Sequence, residues 1–133
     1  MQIFVDTSAL VALANRSDRY HLKAREFLNE LSPTSRLHIS NYIIDESITR
    51  IRMIGGHRTA LAFSKSIFSS HLYHIHYIDE ELEKEAFRIF EKYTDKRLSF
   101  TDCTSFALMK RLGISKAFAF DEDFLAVGFE LVL

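Results

Sequence analysis

Gln2-Ile3-Phe4-Val5-Asp6-Thr7-Ser8-Ala9-Leu10-Val11-Ala12-Leu13-Ala14 is the stretch that decides the fold. Residues 2–6 read as a short buried strand ending on an acid. Residues 7–14 are nearly all apolar and open on Thr7-Ser8, residue types that favour helix starts, so a buried helix follows at once. A strand that runs straight into a helix buried on most sides opens an α/β unit.

The same alternation continues outward. Tyr20, Ala24, Phe27, Leu28 and Leu31 fall at helical spacing, predicting an amphipathic helix over 19–31 that Pro33 stops. Residues 37–40 read as a short strand. Ser40 or Asn41 caps a helix to about Ile54, which Gly55 ends, and 57–70 continue as helix. Tyr73–Ile78 alternates with period two, a strand with one polar face. Asp79 caps a helix bearing Leu82, Ala86, Ile89, Phe90 and Tyr93. Ser99 or Thr101 caps another over 102–112, closed by Gly113. Ala117–Phe120 reads as a buried strand and Glu130–Leu133 as a final one. Strands separated by helices predict an α/β fold with a mainly parallel sheet and right-handed crossovers.

Composition agrees. Leu, Ile, Val and Phe make up 43 of 133 residues, which excludes a disordered chain. Gly and Pro together number 5, against the roughly 12% of an average chain, so elements are long and loops short. A β-sandwich needs more turn residues. No apolar run reaches the ~18 residues of a membrane span. Met1–Asp6 lacks the basic start and cleavage site of a signal peptide, and the one cysteine, Cys103, cannot form an internal disulfide. Both favour a cytoplasmic location. No linker or repeat divides residues 1–133, which read as a single domain.

In open α/β sheets, sites form beyond the carboxyl ends of strands. Asp6 and Asp121 stand there, after the first and the penultimate helix-flanked strands. Asp102 falls on the first turn of its helix. Taken singly, each acid has an ordinary structural use: Asp6 as a helix cap, Asp102 beside a helix dipole. On the 41–54 helix the apolar arc does not choose between Asp45 and Glu46. Their neighbours do: Asp45 lies beside Asn41, Thr49 and Arg52, Glu46 beside Tyr42, Ile43 and Met53. Glu46 is the interior candidate, with an ion pair to Arg50 as its ordinary alternative.

Val5-Asp6-Thr7-Ser8-Ala9, then Glu46, Leu98-Ser99-Phe100-Thr101-Asp102 and Phe120-Asp121-Glu122-Asp123-Phe124, in this order along nearly the whole chain, resemble the PIN domain. More narrowly they resemble the small VapC-type ribonuclease toxins. The resemblance implies a three-layer α/β/α sandwich around a five-stranded parallel sheet. It implies catalytic and metal-binding roles for Asp6, Glu46, Asp102 and Asp121, with Asp123 the alternative to Asp121. It also implies cleavage of RNA with Mg²⁺ or Mn²⁺, a cognate antitoxin and a homodimer. Ala119 departs from the family's hydroxyl residue two positions before the last acid, and Cys103 from its small residue after Asp102.

The chemistry is coherent. Carboxylates a few ångströms apart raise one another's pKa, and a hard divalent cation relieves them. Net charge is −1, which taken whole argues against a nucleic-acid partner. Setting the four acids aside leaves 17 cations against 14 carboxylates, a balance of +3 that suits a polyanionic substrate. Arg50, Arg52, Lys96 and Arg97 are candidate phosphate contacts, and Thr7 or Ser8 a contact for phosphate or metal-bound water. His71, His74 and His76 invite a zinc reading. No third ligand spacing supports it, and a wet edge strand explains the pattern. Apolar residues on the 41–70 helices serve either the core or a second copy. A non-catalytic RNA-binding or scaffold protein of the same fold is the rival to the nuclease. Phosphoaspartate chemistry is disfavoured, because Ser8 stands where a second Asp is needed and Lys116 precedes its strand.

Overall fold

The computed structural model describes residues 1–133. Five strands form one sheet: β1 (Gln2–Val5), β2 (Arg36–Ser40), β3 (Tyr73–His76), β4 (Lys116–Phe118) and β5 (Glu130–Leu131). Their order is β3-β2-β1-β4-β5, and every neighbouring pair is parallel. The helices are α1 (Thr7–Ala14), α2 (His21–Asn29), α3 (Asn41–Ser69), α4 (Glu80–Lys92), α5 (Phe100–Leu112) and the short α6 (Asp123–Ala126). The chain steps outward from β1 through β2 to β3, then returns across β1 to lay down β4 and β5. The reversal leaves a crevice between the carboxyl ends of β1 and β4, where such sheets bind ligands.

Side chains on the two sheet faces define the layers. Phe118 packs on Phe27 of α2 at 4.6 Å between ring centroids, on the face covered by α1, α2 and α3. Phe4 points the other way, to Phe124 of α6, on which Phe106 of α5 stands edge-on at 5.1 Å. Phe27 is half-buried, and Phe4, Phe106, Phe118 and Phe124 are fully buried. Removing one would cost roughly 3–5 kcal/mol. The result is the expected α/β/α sandwich.

The long α3 is two helices joined at Gly56, whose φ of 85° and ψ of 175° suit glycine alone. This is the break the Gly55-Gly56 pair predicts. Strand ends differ more from expectation. β4 stops at Phe118 rather than Phe120 because its partners run out: the Asp6 N–H takes the Phe118 carbonyl at 3.1 Å as β1 ends. β3 stops at His76 rather than Ile78, since β2 ends opposite at Ser40 and the Asn41 side chain takes the Ile78 N–H at 2.8 Å. β5 covers only Glu130–Leu131 of the expected 130–133. α2 is shorter than 19–31 at both ends, its start delayed by a turn in which Asp18 accepts the Tyr20 N–H. No helix is long and apolar enough to cross a membrane.

Candidate metal centre

Asp6 caps α1 and is almost completely buried. Its Oδ2 accepts two hydrogen bonds from Ser8, one from the backbone N–H at 3.1 Å and one from the hydroxyl at 2.7 Å. Burial raises its carboxyl above the ordinary range. The Ser8 bonds oppose that rise, and the charges of Asp121 and Glu46 add to it. Thr7, next along, has a buried hydroxyl with no partner.

Asp102 sits in the first turn of α5, locked with Ser99 in a reciprocal cap. The Asp102 N–H donates to Ser99 Oγ, and the Ser99 N–H donates to Asp102 Oδ2, both at 3.0 Å. This capping box fixes the carboxylate's rotamer. Burial pushes its pKa up to about 6 against the Ser99 bonds, with Asp6 and Asp121 contributing. Ser99, not Thr101, is the cap.

Asp121 lies in the loop after β4, where its Oδ1 accepts the Asp123 N–H at 2.9 Å. Asp123 opens α6, a single helical turn that residue periodicity does not register. Burial and the neighbouring Asp121 raise the Asp123 carboxyl, while Lys96 lowers it. One oxygen from each of Asp102, Asp121 and Asp123 lies within 4.8 Å of the other two. Asp6 and Glu46 stand outside this tightest group but adjoin it, through Asp6. Glu46 is half-buried where Asp45 is exposed, and it makes no ion pair with Arg50.

The donors are all carboxylate oxygens, and Lys96 is the one cation felt by any of them with a displaced pKa. Several acids kept above their ordinary pKa by burial and by one another form a site whose charge the protein leaves uncompensated. Such a donor set fits a hard divalent cation. Arg50, Arg52 and Arg97 are exposed, Arg52 reaching the His57 ring at 2.6 Å. Lys96 is half-buried over the Tyr93 ring, beside Asp95.

The histidine face has a different solution. His38, unforeseen as a member, lies between His74 and His76, whereas His71 is exposed and apart. His38 Nε2–H donates to Gln2 Oε1 at 2.6 Å, so its Nδ1 accepts from His76 Nε2 at 2.8 Å. Arg36 donates to His74 Nε2 at 3.0 Å. The rings bond one another or their neighbours and present no converging lone pairs for zinc.

Two signals lay beyond local reading. His38 is 36 residues or more from its partners, and the Ser8 hydroxyl also accepts the Phe120 N–H at 3.0 Å, across 112 residues.

The PIN domain family profile matches residues 3–130. The chain belongs to the PIN-domain family. This PIN domain is 36% identical over 127 residues to the 23S rRNA-specific endonuclease VapC20 of Mycobacterium tuberculosis, spanning 96% of this chain and 95% of that one. The crystal structure of that toxin, described as cleaving the sarcin-ricin loop, matches with a TM-score of 0.89 over the same shares. The fold is also shared with VapBC2 from Rickettsia felis bound to promoter DNA, at a TM-score of 0.72, 10% identity, and 98% and 97% coverage. A toxin-antitoxin complex from Klebsiella pneumoniae matches at 0.66, with 18% identity and 98% and 96% coverage.

Proposed function

We propose that residues 1–133 act as one nuclease domain, a metal-dependent endoribonuclease and the toxin of a toxin-antitoxin pair. The observation that carries this reading is the convergence of Asp102, Asp121 and Asp123 to within 4.8 Å beside buried Asp6. Asp6, Glu46, Asp102 and Asp121 are the proposed ligands and catalytic residues, with Asp123 at the same rim. Mg²⁺ or Mn²⁺ held by these acids would supply a water of lowered pKa and positive charge for the phosphodiester. The capping box holds Asp102 in one rotamer, so its lone pairs stay aimed into the crevice. Burial of Asp6 keeps bulk water from competing for its oxygens. Lys96, with Arg97, Arg50 and Arg52 farther out, offers positive charge to the RNA backbone.

The named relative cuts 23S rRNA, and ribosomal RNA is therefore the first substrate to test. Metal-stripped protein is incubated with ribosomes, with and without millimolar Mg²⁺ or Mn²⁺, and the breaks are mapped by primer extension. A metal-dependent break made by the wild type and absent with Asp102→Asn is expected. Equal cleavage by the two proteins overturns the site assignment, and cleavage by neither overturns the nuclease reading and favours the non-catalytic RNA-binding alternative.

An apolar groove of about 370 Å³ between α1, α2 and the second arm of α3, lined by Leu10, Leu13, Leu28, Phe63 and Ile67, supports a protein partner such as an antitoxin. Met53, Ile54, Leu61 and Phe68 are 44–80% exposed along α3, which supports a homodimer. An RNA substrate goes with a cytoplasmic location.

A further inference from the structure

The Ser8 hydroxyl stands between the two halves of the acid crevice. It donates to Asp6 Oδ2 at 2.7 Å and accepts from the Phe120 N–H at 3.0 Å. A serine hydroxyl has one proton to give, so its donor capacity is used up and its direction is set by Asp6. It is therefore no free donor to a phosphate.

Its second bond reaches an otherwise loosely tied segment. β4 ends at Phe118, and residues 119–122 belong to no helix or strand. The Asp123 N–H closes onto Asp121, which ties the two acids to each other rather than to the sheet. The Phe120 ring stacks flat on Tyr20 at 4.3 Å, a contact without the directionality of a hydrogen bond. The directional bond from this segment to the β1 side of the crevice is the one through Ser8.

We propose that Ser8 is a positioning residue: its hydroxyl sets the distance between Asp6 and the Asp121–Asp123 loop, and so pre-forms the metal centre. This rests on the metal-centre reading above. A group that orients a metal ligand without touching the ion commonly contributes 10–100-fold to affinity. Ser8 acts in that way on Asp6 directly and on Asp121 through the backbone of the preceding residue.

The test compares wild type, Ser8→Ala and Ser8→Thr. In metal-free protein, NMR exchange of the Phe120 amide reads the strut itself. Exchange should quicken by about tenfold or more in Ser8→Ala, as expected of an amide that loses its partner. Free Mn²⁺ counted by electron paramagnetic resonance then reads the site. Ser8→Ala should bind Mn²⁺ roughly tenfold more weakly, and Ser8→Thr, which keeps the hydroxyl, should restore most of the affinity. The Asp6 bond from the Ser8 backbone N–H survives either change, so the fold is expected to hold. Should Ser8→Ala fail to fold, Ser8→Cys, whose thiol is a poor donor and acceptor, reads the same loss. Wild-type affinity in Ser8→Ala, with Phe120 exchange accelerated, makes Ser8 a purely structural strut and overturns the proposal alone. Wild-type protein that takes up no Mn²⁺ overturns the metal centre and this proposal together.

Discussion

The sheet gathers titratable groups of one kind in two places and treats them oppositely. On the β2–β3 face, three imidazoles and an arginine crowd together, yet each ring has a hydrogen-bond partner: His38 bonds Gln2 and His76, and His74 bonds Arg36. The chain from Gln2 through His38 to His76 is satisfied with both of its rings uncharged. In the crevice above β1 and β4, carboxylates crowd together and only part of their lone-pair capacity is used, by Ser8, Ser99 and the Asp123 N–H. Hydrogen bonds close the first cluster, whereas the second stays open to a ligand of opposite charge. A cluster of titratable groups is thus evidence of a site only where the protein has not already completed it.

The strongest way to break this contrast is to remove a crevice acid. Asp6→Asn and Asp102→Asn should each cut metal-stimulated RNA cleavage by at least about a hundredfold. Melting temperature in metal-free buffer should hold or rise, since like charges are relieved. Retained activity in Asp6→Asn would remove that acid from the site.

A finer cut separates the two late acids. Asp121→Asn should cost at least about tenfold more activity than Asp123→Asn, or about 1.4 kcal/mol of transition-state stabilisation. Single-turnover cleavage rates, taken with melting curves, decide it. A dead Asp123→Asn with intact fold would move the ligand role two residues along.

Divalent ions should stabilise the folded chain by mass action, about 2.7 kcal/mol at a hundredfold excess over Kd. Protons compete for the same oxygens, so the gain should shrink as pH falls. Urea melts with and without Mn²⁺ at two pH values measure both.

Without metal, the two clusters should answer acid with opposite signs. Burial, with His76, His74 and Arg36 nearby, lowers the His38 pKa to about 4. The unfolded chain then binds that proton first, so the His38 contribution is present above about 6.5 and is lost as pH falls towards 4. Asp102, raised to about 6, behaves in reverse: the folded chain binds the proton first, and stability is gained as pH falls from about 6 towards the ordinary aspartate range. The wild-type profile over that window should therefore be shallow. Asp102→Asn should fall more steeply with acid and His38→Gln less steeply or not at all. Parallel profiles for all three proteins would refute the assignment.

The smallest expected effect is hydrodynamic. Light scattering should report a dimer, and a mass of about 15.5 kDa across a hundredfold concentration range would remove it.

Which parts of this contrast could be read from residues alone follows from the range of the forces involved. The β1–α1 unit and the break at Gly56 rest on local periodicity and backbone freedom, and both were legible; that Glu46 is more buried than Asp45 was legible from their neighbours. The ends of β3 and β4 were not, because a strand stops where its neighbour stops, and the neighbour lies elsewhere in the chain. The same limit hid His38 and the Ser8–Phe120 bond. α6 was missed for a smaller reason: it is barely one turn, below what periodicity can register.

The central place of β1 has a consequence for the chain as it is made. β1 is synthesised first, but one of its two neighbours is β4, more than a hundred residues later. Until Lys116–Phe118 have left the ribosome and docked, Asp6 faces no Asp121, Ser8 has no Phe120 to hold, and the crevice has one wall. The closure is a long-range one and comes late for that reason. The acid crevice thus cannot assemble until β4 has been made, a delay written into strand order alone.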